Sequence, residues 1–252
     1  MSKTLKLGVN IDHVATLRQA RYATMLDLPN AEPSLLKAAA ECERAGADSI
    51  TIHLRADRRH IQDRDVFEIR ESIATKLNLE LGDTPEIVEI ALEVKPDFVC
   101  VVPESREEIT TEGGLDVVAA GEGLKRTVAR FQQAGILVSL FVDPDEAQIK
   151  AAADAGAEMI ELHTGAFANA SITGGDDELA DLVEAAKLAD TLGIQVNAGH
   201  GITMANIAKV LQVPHLAELN VGHHLVSQSV FMGLHSVVSD MLTAMEAYNH
   251  RA

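Results

Sequence analysis

Short runs of β-branched and aliphatic residues, each breaking off at a polar or charged group, alternate with Ala- and Leu-rich stretches of helical spacing along the whole chain. The strand-like runs are Leu5–Asp12, a second beginning at Ser49, then 77–81, 98–102, 137–143, 159–164, 195–199 and 218–222. Between them, after a loop holding Pro29 and Pro33, come Ser34–Ala45 closed by Gly46, a helix capped by Asp63 and running to Lys76, Thr84–Val94 and a helix reaching Gln133. Pro144–Ala155, Asp176–Leu192, Thr203–Leu211 and a long amphipathic segment to Tyr248 complete the set. Strict alternation predicts parallel strands joined by crossover helices. Eight such units in 252 residues fit an α/β chain closed into one (β/α)8 TIM barrel domain with extra helical segments, spanning residues 1–252. No GxGxxG follows the first strand, which argues against an open dinucleotide-binding sheet. AGADSITIH (45 to 53) echoes AGAEMIELH (155 to 163) four units on, as a half-barrel relationship would give, and as helix-end glycines alone would also give.

Strand side chains alternate between faces. Val9, Ile11, Ile50, Ile52, Leu77, Leu79, Val138, Leu140, Ile160, Leu162, Val196, Leu219 and Val221 form the set expected against the helices. That leaves Asn10, Asp12, Thr51, His53, Asn78, Glu80, Ser139, Glu161, His163, Asn197 and Asn220 for the barrel interior, a place usually layered with branched aliphatics. A buried polar group without a partner costs about 1–3 kcal/mol, so these residues must bond one another, water or a ligand. For the deeper Asn78, Ser139 and Asn220, a purely structural network explains them as well as a functional one does. Asp12, His53, Glu80, His163 and His200 stand nearer the C-terminal strand ends, where barrels place their active sites.

His53 and Glu80 come from adjacent strands at equal heights, so an imidazole and a carboxylate can face one substrate atom. His200, inside NAGHG, has glycines on both sides and can donate a proton from the opposite wall. Gly199, Gly201, Gly222 and His223 follow the seventh and eighth strands, where backbone N–H groups at a helix N-terminus suit phosphate. A second, basic group, Arg18, Arg21, Arg55, Arg58, Arg59 and His60, either binds an oxyanion or pairs with Asp57, Asp63 and Asp65 as a salt-bridged face. Two anion sites suit a bisphosphate or two phosphorylated substrates. The absence of HxH and HExxH argues against a catalytic metal, and neither a Ser-His-Asp nucleophile elbow, a P-loop lysine nor a Schiff-base lysine is visible.

A formal net charge of -17 argues against nucleic acid as partner, since phosphate backbones are held by excess Lys and Arg. Cys42 and Cys100 lack CxxC spacing and read as free buried thiols of a reducing compartment. MSKTLKLGVNIDH has no apolar signal core, and no stretch approaches the roughly 18 apolar residues of a membrane span. A cytoplasmic protein is expected.

GVNIDHVATLRQAR (8 to 21), TIHLRADRRHIQDRDV (51 to 66), NLE (78 to 80), VVPE, TTEGGLDV, VSLFVD, ELHTG, VNAGHG and ELNVGHH together resemble the pyridoxine 5′-phosphate synthase family of deoxyxylulose-dependent vitamin B6 biosynthesis, over nearly the whole chain. The resemblance implies a (β/α)8 barrel that condenses 3-amino-2-oxopropyl phosphate with 1-deoxy-D-xylulose 5-phosphate, without metal or organic cofactor, as a homo-octamer. His53 and Glu80 would be proton acceptors and His200 the proton donor. Asn10 and Arg21 would hold the amino ketone, with its phosphate near Gly201, Gly222 and His223. Asp12, His13, Arg55, His60 and Thr110 would contact the sugar phosphate, and Pro103–Gly114 would close as a lid. Glu161 and His163 would order the deeper network. The segments Tyr22–Pro33 and Asn169–Asp177 depart from the family pattern. Another phosphate-handling barrel lyase, aldolase or isomerase is the competing enzyme reading, and a non-catalytic phosphate-ligand binding protein the competing reading of a different class.

Overall fold

A computed structural model describes residues 4–26, 28, 30–104 and 113–249. Eight parallel strands close into a barrel in chain order: β1 (Lys6–Asn10), β2 (Ser49–His53), β3 (Lys76–Leu81), β4 (Phe98–Val101), β5 (Leu137–Val142), β6 (Met159–His163), β7 (Gln195–Gly199) and β8 (Leu216–Val221). The helices are α1 (Asp12–Tyr22), α2 (Leu35–Ala45), α3 (Asp63–Ser72), α4 (Pro85–Val94), α5 (Val117–Gln133), α6 (Glu146–Asp154), α7 (Gly165–Ala170), α8 (Asp176–Thr191), α9 (Ile207–Val210), α10 (His223–Met232) and α11 (Leu234–Asn249). No helix among the described residues is long and apolar enough to cross a membrane.

Local chemistry sets many of the boundaries. Ser34 accepts from the Lys37 N–H at the start of α2, and Gly46 ends that helix in the left-handed conformation. Asp116 and Asp145 cap α5 and α6 by accepting from Ala119 and Gln148 N–H groups. At α3 the capping residue is Gln62 rather than the expected Asp63, because Gln62 and Asp65 form a reciprocal capping box.

Other expectations need correction too: α3 ends at Ser72, and Lys76, expected to close it, opens β3. The first strand stops at Asn10, and Asp12 begins a helix that the pattern leaves as loop. The cause is local: the Asn10 side-chain oxygen accepts the Asp12 N–H at 2.9 Å, satisfying an otherwise orphaned helix donor. The long final helix is two, broken at Gly233 with φ 81°. α11 turns Val237, Val238 and Met241 into the core, whereas Val230, Phe231 and Met232 of α10 are exposed. The eighth strand begins at Leu216, two residues early, and Glu218, absent from the expected interior set, points into the barrel beside Ser49.

The main core lies between the outer strand faces and the helices, and the thirteen aliphatics assigned there are all buried. Inside, part of the polar set pairs with itself, while Asn78 Oδ1 and Ser139 Oγ are buried without a hydrogen-bond partner among the described residues. Asn78 donates to Thr51 Oγ1 at 3.3 Å, Thr51 to Asn220 Oδ1 at 3.1 Å, and Asn220 to Glu161 Oε2 at 2.6 Å. Lower down, Ser49 donates to Glu218 Oε1 at 2.8 Å. These cross-barrel bonds offset much of the desolvation that a polar interior costs. A small separate apolar cluster, Cys100, Val102 and Phe141, lines the upper wall next to β4 and β5.

Candidate active site

A cavity of about 640 Å³ opens at the C-terminal end of the barrel. Its lining includes every sequence-derived catalytic candidate, His53, Glu80 and His200, together with Asn10, Asp12, His13, Arg55, His60, Gly201, Gly222 and His223.

On one wall His53 of β2 and Glu80 of β3 are register partners, with His53 Nδ1 3.9 Å from Glu80 Oε2. Burial, reinforced by the Glu161 and Asp12 carboxylates, pushes Glu80 well above the usual carboxylate range, only partly opposed by Asn10. One Asn10 amide donates to Asp12 Oδ2 at 2.9 Å and to Glu80 Oε2 at 3.4 Å, and Asp12 Oδ1 accepts the His53 backbone N–H at 2.8 Å. A strand-end asparagine and a helix-start aspartate thus fix where the two candidate proton carriers stand. Ligating atoms of Asp12, His53 and Glu80 come within 4.8 Å of one another, a metal-compatible trio that no HxH-type spacing announces. Asn10 bonds both carboxylates of this trio, and Asp12 also accepts the His53 backbone N–H.

His200 directly follows β7 on the other wall. Its φ of 77° is followed by Gly201 at 79°, and this pair of left-handed residues turns the chain sharply so that the imidazole lines the cavity. Burial first, then the imidazoles of His163, His13 and His223, lower its pKa to about 4, so the ring is neutral near pH 7. His163 packs 5.2 Å away, centroid to centroid, with its Nδ1 2.8 Å from Asp143 Oδ1.

Beside the cavity a pocket of about 280 Å³ is lined by Gly201, Thr203, Gly222, His223, His224 and Ser227, with Gly222 the residue before α10. That helix start offers unpaired N–H groups and the positive dipole end to an anion. His13 stands edge-to-face with His223 at 5.1 Å, and burial, opposed by Asp12 and aided by His223, lowers the His13 pKa. Across the mouth, His60 Nδ1 accepts the Ile61 N–H at 2.8 Å, so the neutral ring carries its proton on Nε2. Burial lowers its pKa too. Arg55 is buried with its Nε 3.8 Å from Asp57 Oδ1.

The arginine cluster divides. Arg18 forks onto Asp65 at 2.8 and 2.6 Å, both side chains buried, while Arg58 bonds Asp63 and Glu86, and Arg59 bonds Asp57. The salt-bridged reading therefore holds for these three, although Arg59 still borders the cavity with Arg55 and His60. Arg21 is exposed, lies over the Tyr22 ring at 5.6 Å and does not line the cavity. Thr110 and most of the expected Pro103–Gly114 lid lie outside the described residues. Residue-by-residue reading missed Glu104, whose carboxylate reaches His53 Nε2 at 2.9 Å. An acid placed just past the C-terminal end of β4 was the available signal.

Residues 7–247 match the family model described as pyridoxal phosphate biosynthesis protein PdxJ. The chain belongs to the PdxJ family. It is 59% identical over 241 residues to a pyridoxine 5′-phosphate synthase of Akkermansia muciniphila, covering 95% of this chain and 98% of the relative. To the protein of the same name from a Synechococcus species it is 53% identical over 242 residues, 96% of this chain and 98% of the other. Among solved structures, phosphoribosylanthranilate isomerase from Thermotoga maritima superposes with a TM-score of 0.61 at 12% identity, over 97% of this chain and 100% of its own. The tryptophan synthase A-subunit from Pyrococcus furiosus gives 0.60 at 13%, covering 97% of each chain. At such identities the structural likeness concerns the barrel fold. Family membership rests on the sequence relatives.

Proposed function

We propose that the chain is a pyridoxine 5′-phosphate synthase, joining 3-amino-2-oxopropyl phosphate to 1-deoxy-D-xylulose 5-phosphate with release of phosphate and water. The observation that carries this reading in a PdxJ-family chain is one cavity that faces the His53–Glu80 pair with His200 and has anion-binding groups at both ends. Imine formation, loss of phosphate and ring closure are successive proton transfers, which positioned acids and bases can perform on amine and carbonyl substrates. His53 accepts protons at the reacting carbons. Glu80, its pKa raised first by burial and then by the Glu161 and Asp12 carboxylates, takes up a proton more readily than an ordinary carboxylate. His200 donates from the opposite wall as a neutral imidazole. Asn10 orients the amino ketone, whose phosphate sits at Gly201, Gly222 and His223, while Asp12, His13, Arg55 and His60 hold the sugar phosphate.

The reading extends to a cytoplasmic homo-octamer. Exposure of Val230 at 71% and Phe231 at 82% on α10 supports burial against further copies. Light scattering on the purified protein tests the assembly. Incubation with both substrates should yield pyridoxine 5′-phosphate and inorganic phosphate in equal amounts. Turnover of the sugar phosphate alone, with no such product, would return the protein to the lyase, aldolase or isomerase class.

A further inference from the structure

Glu104 has no part in that reaction scheme, yet both oxygens of its carboxylate are engaged beside the site. Oε1 faces His53 Nε2 at 2.9 Å and accepts the Gly82 N–H at 3.1 Å, while Oε2 accepts the Ala56 N–H at 3.1 Å. It joins the exits of β2, β3 and β4. The approach depends on a missing side chain: a Cβ on Gly82 would lie 2.9 Å from Glu104 Cδ. Burial raises the Glu104 pKa, but the bonds from His53 and from the Ala56 N–H outweigh it and hold the group below the ordinary value. Near neutral pH it is therefore a carboxylate, an acceptor with no proton to give, and the ring nitrogen bonded to it must carry hydrogen. The other ring nitrogen, Nδ1, stands on the side of Glu80 Oε2. The His53 backbone is held in place by Asp12.

We propose that Glu104 is a positioning residue that locks His53 as the Nε2–H tautomer and so makes Nδ1 the atom that accepts the substrate proton. In the step it supports, a substrate C–H or N–H bond breaks, the electron pair stays on the substrate, and the proton goes to Nδ1. The resulting imidazolium donates from Nε2 to a carboxylate already in place, so the new charge meets its counter-charge without rearrangement. The tautomer belongs to the free protein; only the word substrate rests on the synthase reading.

The test uses full-length protein labelled with 15N-histidine, without substrates. Long-range proton–nitrogen correlation should show His53, identified by loss of its signals in His53→Asn, with hydrogen on Nε2 and a bare Nδ1. Glu104→Gln keeps the size and removes the charge; its kcat should fall by roughly 10²-fold with KM changed by less than about threefold, and Glu104→Asp should recover part of the rate. A wild-type His53 protonated on Nδ1 overturns the proposal. So does a Glu104→Gln variant that melts earlier but keeps kcat within about twofold, the behaviour of a purely structural clamp. If the wild type shows the Nε2–H tautomer but makes no pyridoxine 5′-phosphate, the reaction assignment fails and the positioning stands.

Discussion

The side-chain amide of Asn220 on β8 donates to Glu161 Oε2 on β6 at 2.6 Å, reaching past β7 inside the barrel. Even with that bond, burial pushes Glu161 up to about 7, with Glu218 adding to the rise. The folded value lies above the ordinary 4.5, so between the two the unfolded chain has lost a proton that the folded chain retains. Stability from this group is full below 4.5 and is lost as pH rises through 7. Glu161→Gln, which keeps an oxygen for Asn220, should therefore melt above wild type at pH 8 by on the order of 5 °C, with the gap closing towards pH 5. Calorimetry at the two pH values checks it; a constant gap would speak against it.

His200 has the opposite sign. Its folded value of about 4 lies below the ordinary 6.5, so on acidification the unfolded chain binds the proton first. Its stabilising contribution is present above 6.5 and disappears as pH falls towards 4. His13 and His60, also lowered by burial, add to the same trend. Wild type should lose melting temperature between pH 6.5 and 4 more steeply than His200→Asn, as thermal scans across that window would show.

In the synthase assay, His53→Asn and Glu80→Gln should each lower kcat by about 10²–10⁴-fold, with smaller effects on KM. With the two facing each other at 3.9 Å, shared action on one reacting centre predicts that the double variant loses far less than the product of the single losses. Steady-state kinetics on the three variants decides this, and full multiplicativity would mean that the residues work independently.

The Arg18–Asp65 pair lies away from the reacting groups but is buried at both ends, with side chains 6% and 4% exposed. Arg18→Met leaves Asp65 charged and without its main partner, at a cost of about 3–5 kcal/mol. Arg18→Met with Asp65→Asn should recover part of this loss. Urea melts of the two variants measure the difference.

The barrel and most of its site were readable because the signals are local. Alternation places Thr51, His53, Asn78 and Glu80 inward whatever the rest of the chain does, and eight repeats leave few other closures. The readings that failed turned on a competing bond: Asn10 capping Asp12 converts an expected strand end into α1, and Gly233 divides the last helix. Arg18, Arg58 and Arg59 could not be told from oxyanion ligands until their acids were placed beside them.

The sequence by itself determined which residues face the barrel interior and which strand ends carry His53, Glu80 and His200, because a period of two is a property of each strand alone. Only the tertiary structure decided what those groups become. Glu104 meets His53 across 51 positions of chain, the His163, His13 and His223 imidazoles surround His200, and Asn220 reaches Glu161 from 59 positions away. Proton affinity and tautomer depend on burial and on neighbours within a few ångströms, and closing the barrel is what brings those neighbours together.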